Sequence, residues 1–449
     1  MDFTTSPLGE RQQHSSARNA SGSVEPRVSA GLANQDSSWK ASGNDCGSLA
    51  SGATQTPQPL PEPSLGNTAK SSSPPLLDLQ DKRRFKRTQM FEGLSWARFF
   101  IFRRMQKIDP DRNPGDVYRT HDCRYVRRER SVSVKANEAG NAHYSGLATC
   151  GSVWACPLCA AVIQQKRRQE LVKLLSWAYA NDYRPVMVTF TVPHTTFDTL
   201  SDLQDRLKDA FARLRGGNAW SRFRERYGFA GIVRSLEVTH GQNGWHPHTH
   251  EIWLVREMSE FQRVEFKEFI KQRWKRVCIS SGLLDESDSI KQWHFSMRAV
   301  DVQFDVQESD YLAKQDSSRA WGVDYEIASQ NTKVGRSTGV HPHEFLIRRQ
   351  KGDAERYFEY INAMKGRRQI YWSPGLKELV GVVDQPDEEL ANEDSDADEV
   401  TRILGALSRD QWEIVRTRRK RPQVLDIAET QGWAGVERFL VSLGWDPYS

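Results

Sequence analysis

The sequence predicts an α+β fold centred on an antiparallel sheet in a split βαβ arrangement, preceded by a cysteine-containing subdomain and a disordered N-terminal segment. Three observations carry this expectation. Between residues 183 and 375, alternating apolar runs and runs of helical spacing follow one another as strand, helix, strand, strand, helix, strand. Cys123, Cys150, Cys156 and Cys159 cluster ahead of them. Residues 1–80 carry almost no aromatics and repeat Ser, Gly and Pro, so they cannot bury enough apolar area to offset the entropy of ordering.

Residues 81–182 form the basic, cysteine-containing subdomain, and residues 183–375 the central domain. In the latter, "RPVMVTFTVP" is β-branched and alternating, hence a strand. "TLSDLQDRLKDAFARLRGG" sets Leu203, Leu207, Phe211 and Leu214 at helical spacing between a polar start and a glycine stop. "FAGIVRSLEVTH", the turn "GQNG" and "WHPHTHEIWLV" read as two strands joined by a short reversal. "MSEFQRVEFKEFIKQRWKRVCIS" is a second amphipathic helix, "MRAVDVQFD" a last strand, and "ESDYLAKQ" begins another helix. The acidic stretch within 376–399 is a linker. Residues 400–449, where "VTRILGALSRDQWEIVRTRRK" and "WAGVERFLVSLGW" have helical spacing, predict a small helical module.

Composition narrows the function. Of 449 residues only 38% are hydrophobic, and mean hydropathy is -0.68, which is lean for a chain folded end to end. A net charge of +5 is unevenly placed in "DKRRFKRTQ", "ARFFIFRRMQK", "RYVRRERS", "IQQKRRQEL" and "RTRRKRP". Basic clusters mixed with aromatics suggest a polyanionic partner, although each run alone is more often a solvated face. There is no long apolar run to span a membrane and no apolar signal segment, so the expectation is a cytoplasmic protein whose cysteines are thiols or metal ligands.

The stretch "GWHPHTHEIWLV" raises the main chemical question. His246, His248 and His250 alternate along a strand, so their side chains share one side of the sheet and the rings of His248 and His250 can converge on one point. Neutral imidazole is a common ligand for divalent metals. Glu237, on the preceding strand, could supply a third ligand, because hairpin partners on one face stand about 5 Å apart. Three protein ligands leave positions for water or a phosphate oxygen. Spacing alone also allows a plain polar face. Downstream, Tyr311 and Lys314 of "YLAK" lie three apart and share a helix face. Tyrosine needs a nearby cation or metal to favour the phenolate.

The ordered set "VMVTFTVPH", "GWHPHTHEIWLV" and "YLAK" resembles the three motifs of plasmid rolling-circle replication initiators, the HUH endonucleases, in their single-tyrosine branch. The similarity covers roughly residues 120 to 350. It implies a ferredoxin/RRM-like core in a bacterial cytoplasmic protein. It also implies that His248 and His250 bind Mg²⁺ or Mn²⁺, with Thr249 as a less apolar middle residue than usual, and that Tyr311 attacks origin DNA. Relatives often carry a glutamate one turn before the tyrosine, thought to activate water in the closing step. Four back is Gln307 here, so Glu308, three back, takes that expectation. Lys314 would stabilise phenolate or phosphate charge.

In "CGSVWACPLC", C-x2-C near two further cysteines predicts a structural zinc site of Cys123, Cys150, Cys156 and Cys159, with His121 a competing fourth ligand. Many of the resembled initiators carry a similar cluster. Cys278 reads as a core thiol and Cys46 as an unpaired thiol in the head. "VHPHEFL" repeats H-P-H without strand alternation, so His341 and His343 are not expected to share a metal, while the adjacent "KVGRSTG" suits a phosphate backbone.

The expected function is site-specific nicking and strand transfer at a plasmid origin, single-stranded at the nick, through a 5′-phosphotyrosine that leaves a 3′-hydroxyl primer. A host helicase and a DNA polymerase are the expected partners, with no membrane and no small-molecule substrate. The alternatives are a relaxase or transposase of a mobile element with the same chemistry, or a non-catalytic zinc-containing DNA-binding regulator.

Overall fold

The computed structural model describes residues 76–306, 339–392 and 402–446. In chain order its main elements are α1 (Leu76–Ile108), β1 (Val132–Ala136), β2 (Ala142–Ser145), α2 (Pro157–Ala180), β3 (Arg184–Thr191), α3 (Leu200–Leu214), α4 (Gly217–Arg226), β4 (Gly231–Gly241), β5 (Gly244–Val255), α5 (Glu260–Ser280), α6 (Ser289–Arg298), β6 (Val300–Gln303), α7 (Asp353–Ala363), β7 (Ile370–Trp372), β8 (Arg402–Leu407), α8 (Arg409–Thr417) and α9 (Arg421–Ser442).

The fold is α+β with antiparallel sheets. Five strands form the larger sheet in the order β6-β3-β5-β4-β7, with every neighbouring pair antiparallel. β3 and β4 therefore run the same way with β5 inserted between them, and α3 and α4 make the crossover. β4 and β5 are joined tightly through Gln242 and Asn243, with Gly241 opposite Gly244. Gly244 sits at φ +86°, and a Cβ there would lie 2.8 Å from the Thr195 carbonyl, so glycine is needed at this reversal. Helix starts follow capping chemistry: Thr199 caps α3, and Ser259 with Gln262 forms a capping box on α5.

Strand alternation divides the sheet into two faces. Val186, Val188, Phe190, Ile232, Trp253 and Val255 pack with Leu207, Phe211, Trp220, Phe223, Phe266 and Trp274 from α3, α4 and α5. On the other face Met187, Val233, Ile252, Leu254 and Trp372 meet Leu171, Leu174, Leu175 and Ala178 of α2. This second cluster stops at Ile252. Further along the same face, Thr189, Glu237, His246, His248 and His250 are only half-buried.

A second sheet, β2-β1-β8, joins the hairpin of the cysteine-containing region to a strand from beyond residue 400. Its core includes Val132, Val134, Tyr144, Leu407, Trp412, Val415, Val424, Leu425 and Leu440, with Phe91 of α1. The stretch 402–407, whose spacing suggested helix, is thus a strand. Gly405 in its middle is a poor helix former, and a Cβ there would collide with the Trp433 ring, so the glycine lets that tryptophan lie against the strand. No helix of the described residues is long and apolar enough to cross a membrane.

Candidate metal centre

The hairpin register builds the site. Glu237 on β4 is the direct cross-strand partner of His248 on β5, and His250 faces Ser235 on β4 and Thr189 on β3. Because residues two apart share a face, His248 and His250 both turn to Glu237. The Nε2 of His248 lies 2.9 Å and that of His250 3.4 Å from one Glu237 oxygen. Donors held about 2.1 Å from one divalent ion stand about 3.0 Å apart when cis in an octahedron and about 3.4 Å apart in a tetrahedron. One carboxylate and two imidazoles at these separations therefore fit a divalent ion.

The surroundings orient these donors. Thr189 Oγ1 lies 2.9 Å from His250 Nδ1, which leaves Nε2 aimed at Glu237. His248 Nδ1 is buried without a hydrogen-bond partner. Burial alone would raise the Glu237 carboxyl, but hydrogen bonds with His248 and His250 and their charge outweigh it and hold it well below the carboxylate range. His246, the third alternating histidine, packs edge-on to His194 and His248 at ring separations of 4.6 and 5.2 Å. Burial, then the neighbouring His248 and His194, lower it to about 4, so it is neutral near pH 7. Glu251, the next carboxylate on β5, is fully buried on the opposite face, where it accepts from Arg215 and, at 2.7 Å, from the Trp253 indole. It belongs to a structural ion pair and is no ligand.

The cysteines meet as the spacing predicts. Cys156 caps α2, with its sulfur accepting from the Cys159 N–H. Cys123 and Cys150 arrive from the loops on either side of the β1–β2 hairpin. Neighbouring sulfurs stand 3.5 Å (Cys123 and Cys159), 3.6 Å (Cys150 and Cys159) and 3.7 Å (Cys123 and Cys156) apart. Four thiolates about 2.3 Å from a tetrahedral ion would be about 3.8 Å apart. All four are buried and none is in a disulfide. Hydrogen bonds from Cys123, Cys150 and Cys156 hold Cys159 well below the usual thiol value. His121 is outside the group, its Nδ1 lying 2.7 Å from Asp122. Both this cluster and the Glu237–His248–His250 group could hold a metal ion.

Tyr311, Lys314 and Glu308 lie outside the described residues, as do Gln307, Cys46 and "KVGRST". Cys278 is a buried core thiol on α5, and burial pushes it up. His341 caps a short 3-10 turn, and His343 is buried with Nε2 2.7 Å from the Trp154 carbonyl. Neither belongs to a metal-holding group among the described residues. Thr189 is the orienting residue that sequence reading missed. Its only signal was its place in "VTFTVP", which becomes meaningful once β3 is registered against β5.

Comparison with known proteins adds an independent line. A family model described as replication protein matches residues 146–413, which takes in three of the four cysteines, the β4–β5 hairpin and β8. "Protein rep" of Streptomyces lividans is 29% identical over 339 residues, covering 61% of this chain and 71% of that protein. A protein named "Neomycin resistance protein" from Streptomyces cyanogenus is 36% identical over 161 residues, covering 30% of this chain and 37% of its own. No solved structure matches the chain. With more than half of its length matched, the chain belongs to the replication protein family, the plasmid initiator family that its ordered motifs resemble.

Proposed function

We propose that the protein initiates plasmid rolling-circle replication by nicking one strand of its origin and holding the cut end covalently. The observation that carries this reading is the triad of Glu237, His248 and His250, converging on one point of a half-buried sheet face in a chain of the replication protein family. The strand order, with β5 between parallel β3 and β4, supports a split βαβ core of the HUH kind.

In this reading Glu237, His248 and His250 hold Mg²⁺ or Mn²⁺, which when bound polarises the scissile phosphate. The Tyr311 phenol gives its proton to solvent, its oxygen attacks phosphorus in line, and the departing 3′ oxygen takes a proton from solvent. The bond to the 3′ oxygen breaks, leaving a 5′-phosphotyrosine and a 3′-hydroxyl that primes a polymerase. Lys314 stabilises the phenolate and phosphate charge, and Glu308 activates the water or hydroxyl that closes the cycle. Chain length allows this. Val306 donates its N–H to the Pro185 carbonyl at 3.2 Å, and Pro185 lies four residues along β3 from Thr189, beside His250, or roughly 13 Å. Two extended residues from Val306 to Glu308 and three at helical rise to Tyr311 reach about 11 Å, and the length of the tyrosine side chain spans the rest.

The cysteine cluster, in the same reading, holds zinc that fixes the start of α2 against the β1–β2 hairpin. The substrate is origin DNA, single-stranded at the nick, with a host helicase and polymerase acting afterwards. The test is cleavage of labelled single-stranded origin DNA. Wild type should cut with Mn²⁺ and stop with EDTA, while His248→Ala and His250→Ala should lose metal-dependent cutting. No cleavage by wild type would favour a non-catalytic DNA-binding regulator.

A further inference from the structure

The two metal-holding groups belong to different parts of the chain, yet one dipeptide and one helix reach towards both. Trp154 and Ala155 lie inside the cysteine loop, between Cys150 and Cys156, and are buried. Residues 343–367 bond to this dipeptide in three places. His343 Nε2 donates to the Trp154 carbonyl at 2.7 Å, the Tyr357 hydroxyl donates to the Ala155 carbonyl at 2.8 Å, and the Trp154 indole N–H donates to the Arg367 carbonyl at 2.7 Å. Arg367 leads into β7, and two residues on the Gln369 carbonyl accepts at 2.8 Å from the N–H of Leu236, the residue before Glu237. A second connection runs through α7, where Tyr357 and Tyr360 are three apart and so neighbours on the helix. Burial, then the charges of Cys156 and Cys150, push the Tyr357 phenol up; for Tyr360 it is burial, then Glu237. The Tyr360 ring meets Trp154 edge-on, with centroids 6.1 Å apart, and stacks with Trp245 of β5 at 6.2 Å. One turn of α7 thus sets one phenol in the field of the thiols and the next in the field of the ligand carboxylate.

We propose that Trp154 and α7 link the two groups energetically, so that zinc on the cysteines raises the affinity of Glu237, His248 and His250 for their divalent ion. The inference rests on the reading that both groups hold metal, and adds a regulation of the nicking site. With zinc bound, four thiolates share one centre and the loop between Cys150 and Cys156 keeps one arrangement. Its bonds to His343, Tyr357 and Arg367 then steady α7 and the lead-in to β7, which pairs with β4, the strand that carries Glu237. Tyr357 and Tyr360 are almost wholly buried, so neither ring can shift without moving its neighbours. Without zinc the loop gains conformations, and ordering them is a cost that falls on the second ion when it binds. Linkage makes the effect reciprocal, so the ion on the triad must tighten zinc by the same factor.

The test uses the full chain loaded with zinc. Zinc affinity, read by competition with a zinc-selective chelator, should rise about fivefold or more in saturating Mn²⁺, the low end of coupling between sites. His248→Ala should remove that rise, because Mn²⁺ then has no triad to occupy. In the other direction, Trp154→Phe keeps a ring but loses the N–H, and should bind Mn²⁺ about fivefold or more weakly by calorimetry while retaining its zinc. Tyr357→Phe, which loses the bond to Ala155, should shift Mn²⁺ affinity the same way. Val415→Ala, in the core of the second sheet, lowers stability away from this path and should leave Mn²⁺ affinity unchanged. A wild-type zinc affinity indifferent to Mn²⁺ would overturn the proposal and leave the metal reading standing. So would a rise that persists in His248→Ala, wild-type Mn²⁺ affinity in Trp154→Phe, or an equal loss in Val415→Ala. Failure of the wild type to bind Mn²⁺ would overturn both. Coupling in a protein that cuts no DNA would remove the nicking reading and leave this one.

Discussion

At the residue scale the account rests on three donors and one hydroxyl. His248 and His250 were legible in the sequence because period-two alternation aims them together, and Glu237 because a hairpin partner is predictable from a short turn. Thr189 was not legible, since its role depends on the register of two strands whose paired residues, Thr189 and His250, are 61 apart in the chain. Thr189→Val removes the oxygen beside His250 Nδ1 at nearly constant shape. Removing a partner of this kind costs on the order of 10–100-fold in metal affinity, so Mn²⁺ titration calorimetry should show a loss of that size with the fold retained. An unchanged affinity would mean that the hydroxyl does not orient the ring.

At the element scale, helix starts and buried turns position the chemistry. The C-x2-C spacing was readable because it places one sulfur at the cap of α2 and the other three residues in, on the same turn. Cys156→Ser should lower the zinc content of the purified protein and its melting midpoint together, and full zinc retention would contradict the assignment. The 3-10 turn at 342–344 buries His343, and burial, then the neighbouring His341, lower it to about 3. The folded state therefore declines a proton that the unfolded chain accepts below about pH 6.5. The stability that His343 contributes is complete above that pH and drains away as the pH falls towards 3. His343→Gln should reduce the slope of unfolding free energy against pH in that window by about 1.4 kcal/mol per pH unit, measured by urea titration. An identical slope would show that the imidazole takes up its proton in the folded state.

At the scale of the whole molecule, residues 402–446 complete a sheet begun around residue 132. The sequence could not announce this, because a six-residue apolar stretch beside two helices has ambiguous periodicity and its partner strand lies some 270 residues away. In the central sheet β3, β4 and β5 with α3 and α5 were legible because they are long, alternate cleanly and follow one another with short connections, whereas the three-residue edge strand β7 was not. Trp412 is buried against Tyr144 and the Tyr125 carbonyl. Trp412→Ala should therefore cost about 3–5 kcal/mol, read by denaturant unfolding. The most direct measurement of the central claim is to incubate the protein with its own origin DNA and Mn²⁺, digest the product, and locate by mass spectrometry any nucleotide left on the chain. The account predicts a 5′-phosphate ester on Tyr311, absent from Tyr311→Phe and from His248→Ala. A nucleotide on another residue, or an adduct that forms equally in EDTA, would contradict it.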